Sequence, residues 1–317
     1  MDQSSLKLYM APLQGFTDHT FRKVFAECFG GIDKYFIPYL SYGKGREIKK
    51  SQLREVLPEN NMALPVIPQV LFSNEAELSD LIGLLKSYDY PEINLNLGCP
   101  YPMATNKGRG SAWLQKPEEL SILLMHLFDQ FPGTKFSVKM RAGMNDKQDC
   151  ISIFEVLNQF PLEEIIFHPR TADQMYSGKA DVELFASATP KVKHQLVYNG
   201  DILSASAYEE IKSNLPDQNH WMIGRGLQIN PNLALQIRGA QQEMKQVRDK
   251  MREFHDQLLE EYSSRLNGAG HQLMKMNQFW TYFSESFENP HKAMKLVKKS
   301  SNLLKYNAAV TEIFKNY

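Results

Sequence analysis

The sequence predicts an α/β fold: a (β/α)8 TIM barrel over residues 1–238, followed by a C-terminal all-α helical bundle over 239–317. Three observations lead there. Eight short apolar, β-rich runs recur along the chain, and most pairs are separated by a polar turn and a stretch of helical periodicity, the pattern of parallel βαβ units. Eight is the count that closes a parallel barrel. Beyond Ile237 no β-run follows, only long helix-forming segments. An open doubly wound sheet is the rival arrangement for the first part.

The runs, in order, are Lys7–Pro12, Lys34–Leu40, Val66–Leu71, Glu92–Leu97, Lys135–Arg141, Glu164–His168, Gln195–Asn199 and Asn219–Gly224. Between them, Glu75–Lys86 puts Leu78, Leu81, Ile82 and Leu85 on one helical face, and Glu118–Phe128 does the same with Leu120, Leu123, Leu124 and Leu127. The later helices are expected at Gln241–Ser264, Gln272–Ser286 and His291–Tyr306, with breaks at Asn267-Gly268-Ala269-Gly270 and Asn289-Pro290.

With 317 residues, 43% of them hydrophobic, the chain can bury a substantial core. Lys+Arg 36 balance Asp+Glu 36, which excludes a wholly polybasic nucleic-acid binder but not a local basic face. The helical segment carries 12 cationic against 9 anionic side chains, a surplus of 3 with the sign expected of a part that faces a polyanion. Three cysteines, Cys28, Cys99 and Cys150, are too few and too scattered for a disulfide framework or a Cys-based metal site. The opening MDQSSLKLYM lacks the apolar stretch of a signal peptide, and no uncharged apolar run approaches the roughly 20 residues of a membrane helix. A soluble, cytoplasmic protein without metal or membrane partner is the expectation.

Barrel active sites lie at the carboxyl ends of the strands. Reading those ends gives Pro12-Leu13-Gln14, Gln69, Asn96 and Cys99, Lys139 and Arg141, His168 and Arg170, Asn199-Gly200-Asp201, and Gly224-Arg225. Lys139 and Arg141 stand two apart and so share a strand face. The NGD and GRG loops follow strands 7 and 8, where barrels often bind phosphate; glycines admit backbone N–H groups and Arg225 adds charge-assisted hydrogen bonds. Cys99 reads either as a small buried hydrophobe or as a reacting thiol in a tight Gly98–Pro100 turn. An ordinary thiol, with a pKa of about 8.5, is protonated at neutral pH and can donate a proton; nucleophilic chemistry would instead call for a nearby base, for which His168 is the candidate.

Taken together, MAPLQGFTDHTFR (Met10–Arg22), NLNLGCP (Asn94–Pro100), NKGRGSAWL (Asn106–Leu114), SVKMRAG (Ser137–Gly143), HPRTADQMYSG (His168–Gly178), YNGDI (Tyr198–Ile202) and MIGRG (Met222–Gly226) resemble, in order, the blocks of the tRNA-dihydrouridine synthases. The resemblance is strong over about residues 6–235 and extends to the helical tail in kind and length. It implies an FMN-containing barrel with an RNA-binding helical part that reduces uridines of tRNA to 5,6-dihydrouridine with NADPH. By the same resemblance Cys99 is the proton donor. Pro12, Leu13, Gln14, Gln69, Lys139, His168, Asn199, Gly200, Asp201, Gly224 and Arg225 would surround the flavin, and Asn96, Arg141 and Arg170 would hold the substrate. Lys107, Arg109 and the Lys292–Lys299 run are candidates for binding phosphates.

The sequence departs from the family pattern at Asn94, where an acidic residue is usual, at Pro169, where glycine is common, and at Pro38-Tyr39-Leu40-Ser41, where a Thr-Glu pair is usual. Two other readings compete: an FMN-dependent reductase of a small ene or pyrimidine compound, and a tRNA-binding protein without turnover. The helical tail speaks against the first, and Cys99, Lys139 and the phosphate loops against the second.

Overall fold

The computed structural model describes residues 6–316, apart from 44 and 63. The barrel strands are β1 (Lys7–Met10), β2 (Lys34–Leu40), β3 (Val66–Val70), β4 (Glu92–Leu97), β5 (Lys135–Gly143), β6 (Glu164–Thr171), β7 (Gln195–Tyr198) and β8 (His220–Ile223). They pair in parallel in sequence order, and β8 closes on β1 through a register from Lys7↔His220 to Met10↔Ile223. This is the TIM barrel expected from the eight runs, not the open sheet. The surrounding helices are α1 (His19–Cys28), α2 (Lys50–Val56), α3 (Glu75–Lys86), α4 (Pro102–Thr105), α5 (Pro117–Gln130), α6 (Asp149–Leu157), α7 (Val182–Ala188), α8 (Ala205–Asn214), α9 (Arg225–Ile229) and α10 (Leu233–Ile237). Four more follow: α11 (Met244–Arg265), α12 (Ala269–Phe283), α13 (Pro290–Lys298) and α14 (Leu303–Asn316).

Helix starts follow local chemistry. Asp18, Asn74, Asp181 and Ser204 each cap a helix by accepting a backbone N–H three residues on. Several boundaries differ from expectation by a few residues, and two differences matter. His291–Tyr306 is not one helix: α13 stops at Lys298 and a turn through Ser300–Asn302 redirects α14, whose N-terminus Asn302 caps through Lys305 N–H. Strands β5 and β6 run longer than read, so Arg170 lies within β6 rather than beyond it.

Inward-facing residues alternate along each strand and stack in layers. At the amino end, Lys34 Nζ pairs with Glu92 at 2.9 Å and Glu164 at 3.0 Å, while the Tyr9 hydroxyl donates to Glu164 at 2.8 Å. Above this lies an apolar waist of Tyr9, Phe36, Ile67, Ile166, Val197 and Met222. The polar mouth opens at the carboxyl end.

The outer core is continuous from the barrel helices into α11–α14. Phe254 of α11 meets Phe21, Phe25 and Phe29 around α1 at ring-centroid distances of 5.5–6.2 Å. Helix α12 also braces the β1–α1 loop: Lys275 Nζ donates to Gly15 O at 2.6 Å and pairs with Asp18 at 3.0 Å, and the Tyr262 hydroxyl of α11 donates to Asp18 at 2.9 Å. Among the described residues no helix is long and apolar enough to cross a membrane.

The amino-end ion cluster gives a stability prediction. Lys34→Met strands two carboxylates that are almost fully buried, which costs about 2–3 kcal/mol, below the range for a fully buried pair because the Lys34 side chain keeps 26% exposure. Urea unfolding measures this, and a loss under about 0.5 kcal/mol would show that the cluster contributes little.

Candidate active site

The mouth is a cleft of about 1130 Å3, open end included, lined from all eight strands or the loops that follow them. Pro12, Leu13 and Gln14 form one edge; Gln69, Asn96, Cys99, Lys139, Arg141 and His168 form the floor and far wall; Asn199, Gly200, Asp201, Gly224 and Arg225 close the remaining side. Sheet register explains the clustering, since Asn96 pairs with Lys139 and Arg141 with His168 on neighbouring strands.

The edge loop is rigid by construction. Leu13 N–H donates to Thr17 Oγ1 at 2.9 Å, and the buried Arg22 donates to Thr17 O at 2.7 Å and to Asn61 at 2.8 Å. The Cys99 turn is held as firmly. Asn96 Oδ1 accepts the Gly98 and Cys99 N–H groups at 3.0 and 2.8 Å, and Cys99 O accepts from Ser111 N and Oγ at 3.1 and 2.9 Å. Gly110, at φ +61, lies so close that a Cβ there would meet Cys99 Cβ at 2.7 Å. The NKGRGSAWL block thus serves as a backing plate for the thiol.

Cys99 is 7% exposed, and what exposure it keeps opens on the cleft. Burial pushes its thiol above the usual range; the Tyr101 backbone N–H, Arg141, Lys139 and the Tyr39 hydroxyl pull the other way without overcoming it. The group is therefore a protonated thiol at neutral pH. Burial, then Arg141, Lys139, Arg170 and Arg225, push the imidazole well below its ordinary value, so His168 is neutral. Arg170 stands 3.2 Å from His168 Nε2 and can only donate, so Nε2 accepts and Nδ1 carries the proton.

Lys139 is brought down to about 7 by burial and by Arg141. Arg141, lowered to about 10, stays charged and donates to Thr171 O at 2.8 Å. Asp201, at φ +50, receives both nitrogens of the buried Arg170 at 2.9 and 2.7 Å, Arg225 at 3.0 Å and Ala180 N–H at 2.8 Å. Asn199 Nδ2 donates to Met222 O at 2.8 Å, tying the loop after β7 to β8.

Every strand-end residue singled out in the sequence lines the cleft except Arg170, which lies behind it with its guanidinium committed to Asp201, His168 and Gly178 O. Arg109 is likewise no free phosphate ligand: it is buried, paired with Glu77 at 2.7 Å and donating to Tyr42 O at 2.9 Å. Lys107 and the lysines at 292, 295, 298 and 299 are exposed. Sequence reasoning missed an aromatic rim of Phe16, Tyr39, Tyr101, Tyr176 and Tyr282. Arg225 and Arg141 lie 4.4 and 5.6 Å from the Tyr176 ring centroid, and Phe16 packs on Tyr282 of α12 at 5.0 Å. Tyr176 falls inside the HPRTADQMYSG block and Tyr39 in the departing second strand; nothing local marks Tyr282, which the packing of α12 delivers.

A family model for dihydrouridine synthases matches residues 9–314. The chain belongs to the dihydrouridine synthase family. These are oxidoreductases, and the dihydrouridine synthase blocks described above supply the floor, the thiol turn and the two glycine loops. A probable tRNA-dihydrouridine synthase of Helicobacter pylori is 28% identical over 271 residues, covering 81% of this chain and 78% of that protein. A tRNA-dihydrouridine(16) synthase of Cupriavidus necator is 27% identical over 241 residues, 74% of each chain. Among solved structures, 2-naphthoyl-CoA reductase superposes with a TM-score of 0.53 at 9% identity, over 73% of this chain and 49% of that one. Morphinone reductase gives 0.50 at 9%, over 76% and 88%. At that identity these two speak for the barrel fold alone.

The Lys139 environment is directly measurable. Competitive acetylation with acetic anhydride should show Lys139 titrating at about 7, charged below that pH and neutral above it. A midpoint at the ordinary lysine value of about 10.4 would contradict the role of burial and Arg141.

Proposed function

We propose that this protein is a tRNA-dihydrouridine synthase that reduces the C5–C6 double bond of uridine in tRNA, with FMN as hydride carrier and NADPH as reductant. The observation that carries the reading is a protonated thiol facing, across one cleft, a cationic wall and two glycine loops. Family membership and the names of the relatives support the choice of tRNA uridine.

The residues present fit a flavin phosphate. Three cations, Lys139, Arg141 and Arg225, line the cleft against one carboxylate, Asp201, leaving room for anionic charge. The loop after β7 is packed to the limit: a Cβ on Gly200 would come within 2.6 Å of Ala180 Cβ. Gly200, Asp201, Gly224 and Arg225 would hold the phosphate end, Pro12, Leu13, Gln14 and Asn199 the middle, and Gln69, Lys139 and His168 the ring. When bound there, FMN supplies the hydride that goes to C6.

The chain's own part is placement and proton transfer. Cys99 gives its S–H proton to C5 as the C5–H bond forms; the thiolate left behind is stabilised by Lys139 and Arg141 and regains a proton from solvent. Asn96 has both oxygen lone pairs engaged by Gly98 and Cys99 and one amide hydrogen on Gln69, so a single N–H remains to offer a uracil carbonyl. Arg141 adds a guanidinium held in place by Thr171 O and the Tyr176 ring. Arg170 acts by fixing Asp201 and His168. Residues 239–317 would form the RNA-binding part, with the exposed lysines of α13 meeting phosphates.

Dihydrouridine mapping, position by position, in tRNA that lacks the modification tests the reading. Wild type with FMN and NADPH should form it at a defined position. Cys99→Ala should keep flavin and tRNA binding while losing about 10²–10⁴ of the rate; full turnover in that variant would remove the proton-donor role. Product from free uridine but none in tRNA would instead indicate a small-molecule reductase. Charge reversal at Lys295, Lys298 and Lys299 should lower tRNA affinity and flatten its salt dependence by about one unit of log–log slope for each phosphate no longer neutralised.

A further inference from the structure

From the cleft floor inward, four buried polar side chains are joined end to end. Asn94 Nδ2 donates to Ser137 Oγ at 2.9 Å, Gln69 Nε2 donates to Asn94 Oδ1 at 2.7 Å, and Asn96 Nδ2 donates to Gln69 Oε1 at 2.7 Å. The chain ends where Asn96 Oδ1 accepts the Gly98 and Cys99 backbone N–H groups. Register sets Gln69, Asn94 and Ser137 level on β3, β4 and β5, with Asn96 one inward step further along β4. Asn94 itself does not line the cleft.

An amide has a donor end and an acceptor end, so the direction of such a chain is decided at its termini. At one terminus two backbone N–H groups demand the oxygen of Asn96, and neither can rotate away. That turns the Asn96 nitrogen to Gln69, the Gln69 nitrogen to Asn94, and requires an acceptor at position 94. Reversing any link would set donor against donor in a dry interior, where an unmade hydrogen bond is most costly.

We infer that Asn94 is a positioning residue: its side-chain oxygen is the acceptor that anchors the far end of an amide chain running to the Cys99 turn, and so helps hold the thiol in place. Asp at this position would offer Gln69 the same acceptor and could take a hydrogen bond from the Ser137 hydroxyl. Leu, of similar volume, would offer none.

The inference gives the proposed proton donor its geometry, but its test uses neither flavin nor RNA. Iodoacetamide alkylation of Cys99 in the full chain, followed by peptide mass at fixed pH, reads how firmly the turn holds. Asn94→Leu should alkylate about fivefold faster, the shift expected from one buried hydrogen bond of ordinary net strength, with faster amide exchange at Gly98 and Cys99. Asn94→Asp should stay within about twofold of wild type. A wild-type rate in Asn94→Leu, or a rise in Asn94→Asp equal to that in Asn94→Leu, would overturn the inference. Should Asn94→Leu fail to fold, the smaller Asn94→Ala also removes the acceptor for Gln69 and should raise the rate in the same direction; no change there would also overturn it. Absence of dihydrouridine formation would sink the proposed reaction and leave these rates untouched.

Discussion

Positive charge crowded into the low-dielectric mouth of a closed barrel governs this site. Lys139, Arg141 and Arg225 face the cleft, Arg170 stands just behind, and Asp201 is the one carboxylate among the lining residues. The protonation states follow from that arrangement and from burial. Burial and then four cations keep His168 from taking a further proton, Lys139 is brought to about 7, and burial keeps the Cys99 thiol protonated despite its cationic neighbours. The result is a neutral imidazole, a titratable ammonium and an intact S–H within one cleft, the three states that proton donation beside an anionic ligand requires.

The rest of the molecule keeps that geometry from relaxing. The Lys34–Glu92–Glu164 cluster closes the opposite end, with an apolar waist between it and the mouth. Four loops at the mouth are held by specific contacts: β1–α1 by Thr17, Arg22 and Lys275, the Cys99 turn by Asn96, Ser111 and Gly110, and the β7 and β8 loops by Asp201. Helix α12 takes part in two of these features, through Lys275 on the edge loop and Tyr282 in the aromatic rim. The helices beyond the barrel therefore supply a wall of the cleft, and their removal would disturb it as well as any binding of RNA.

Much of this was legible in the sequence, because the signals concerned are local. Lys34–Leu40, Glu92–Leu97 and Glu75–Lys86 agree with the structure at both ends, since period and flanking turns mark them. The strand-end residues follow from the barrel topology alone. What was not legible depends on partners distant in the chain. Arg109 looks like an exposed loop cation until Glu77 is brought against it, and Arg170 looks like a ligand-binding residue until Asp201 is. Tyr39 and Tyr282 carry no motif and reach the cleft only through tertiary packing. The break between α13 and α14 falls at Lys299–Asn302, a polar stretch without glycine or proline. Asn94 stood out in the sequence as a departure, but its part in an amide chain needed the register of three strands.

Titration of the protein with FMN and with riboflavin, by flavin fluorescence at two salt concentrations, tests directly whether the charged mouth holds a flavin phosphate. FMN should bind at least about a hundredfold tighter than riboflavin, as two charge-assisted hydrogen bonds would give, and the difference should shrink as salt rises. Equal affinity for the two flavins at both salt concentrations would contradict it.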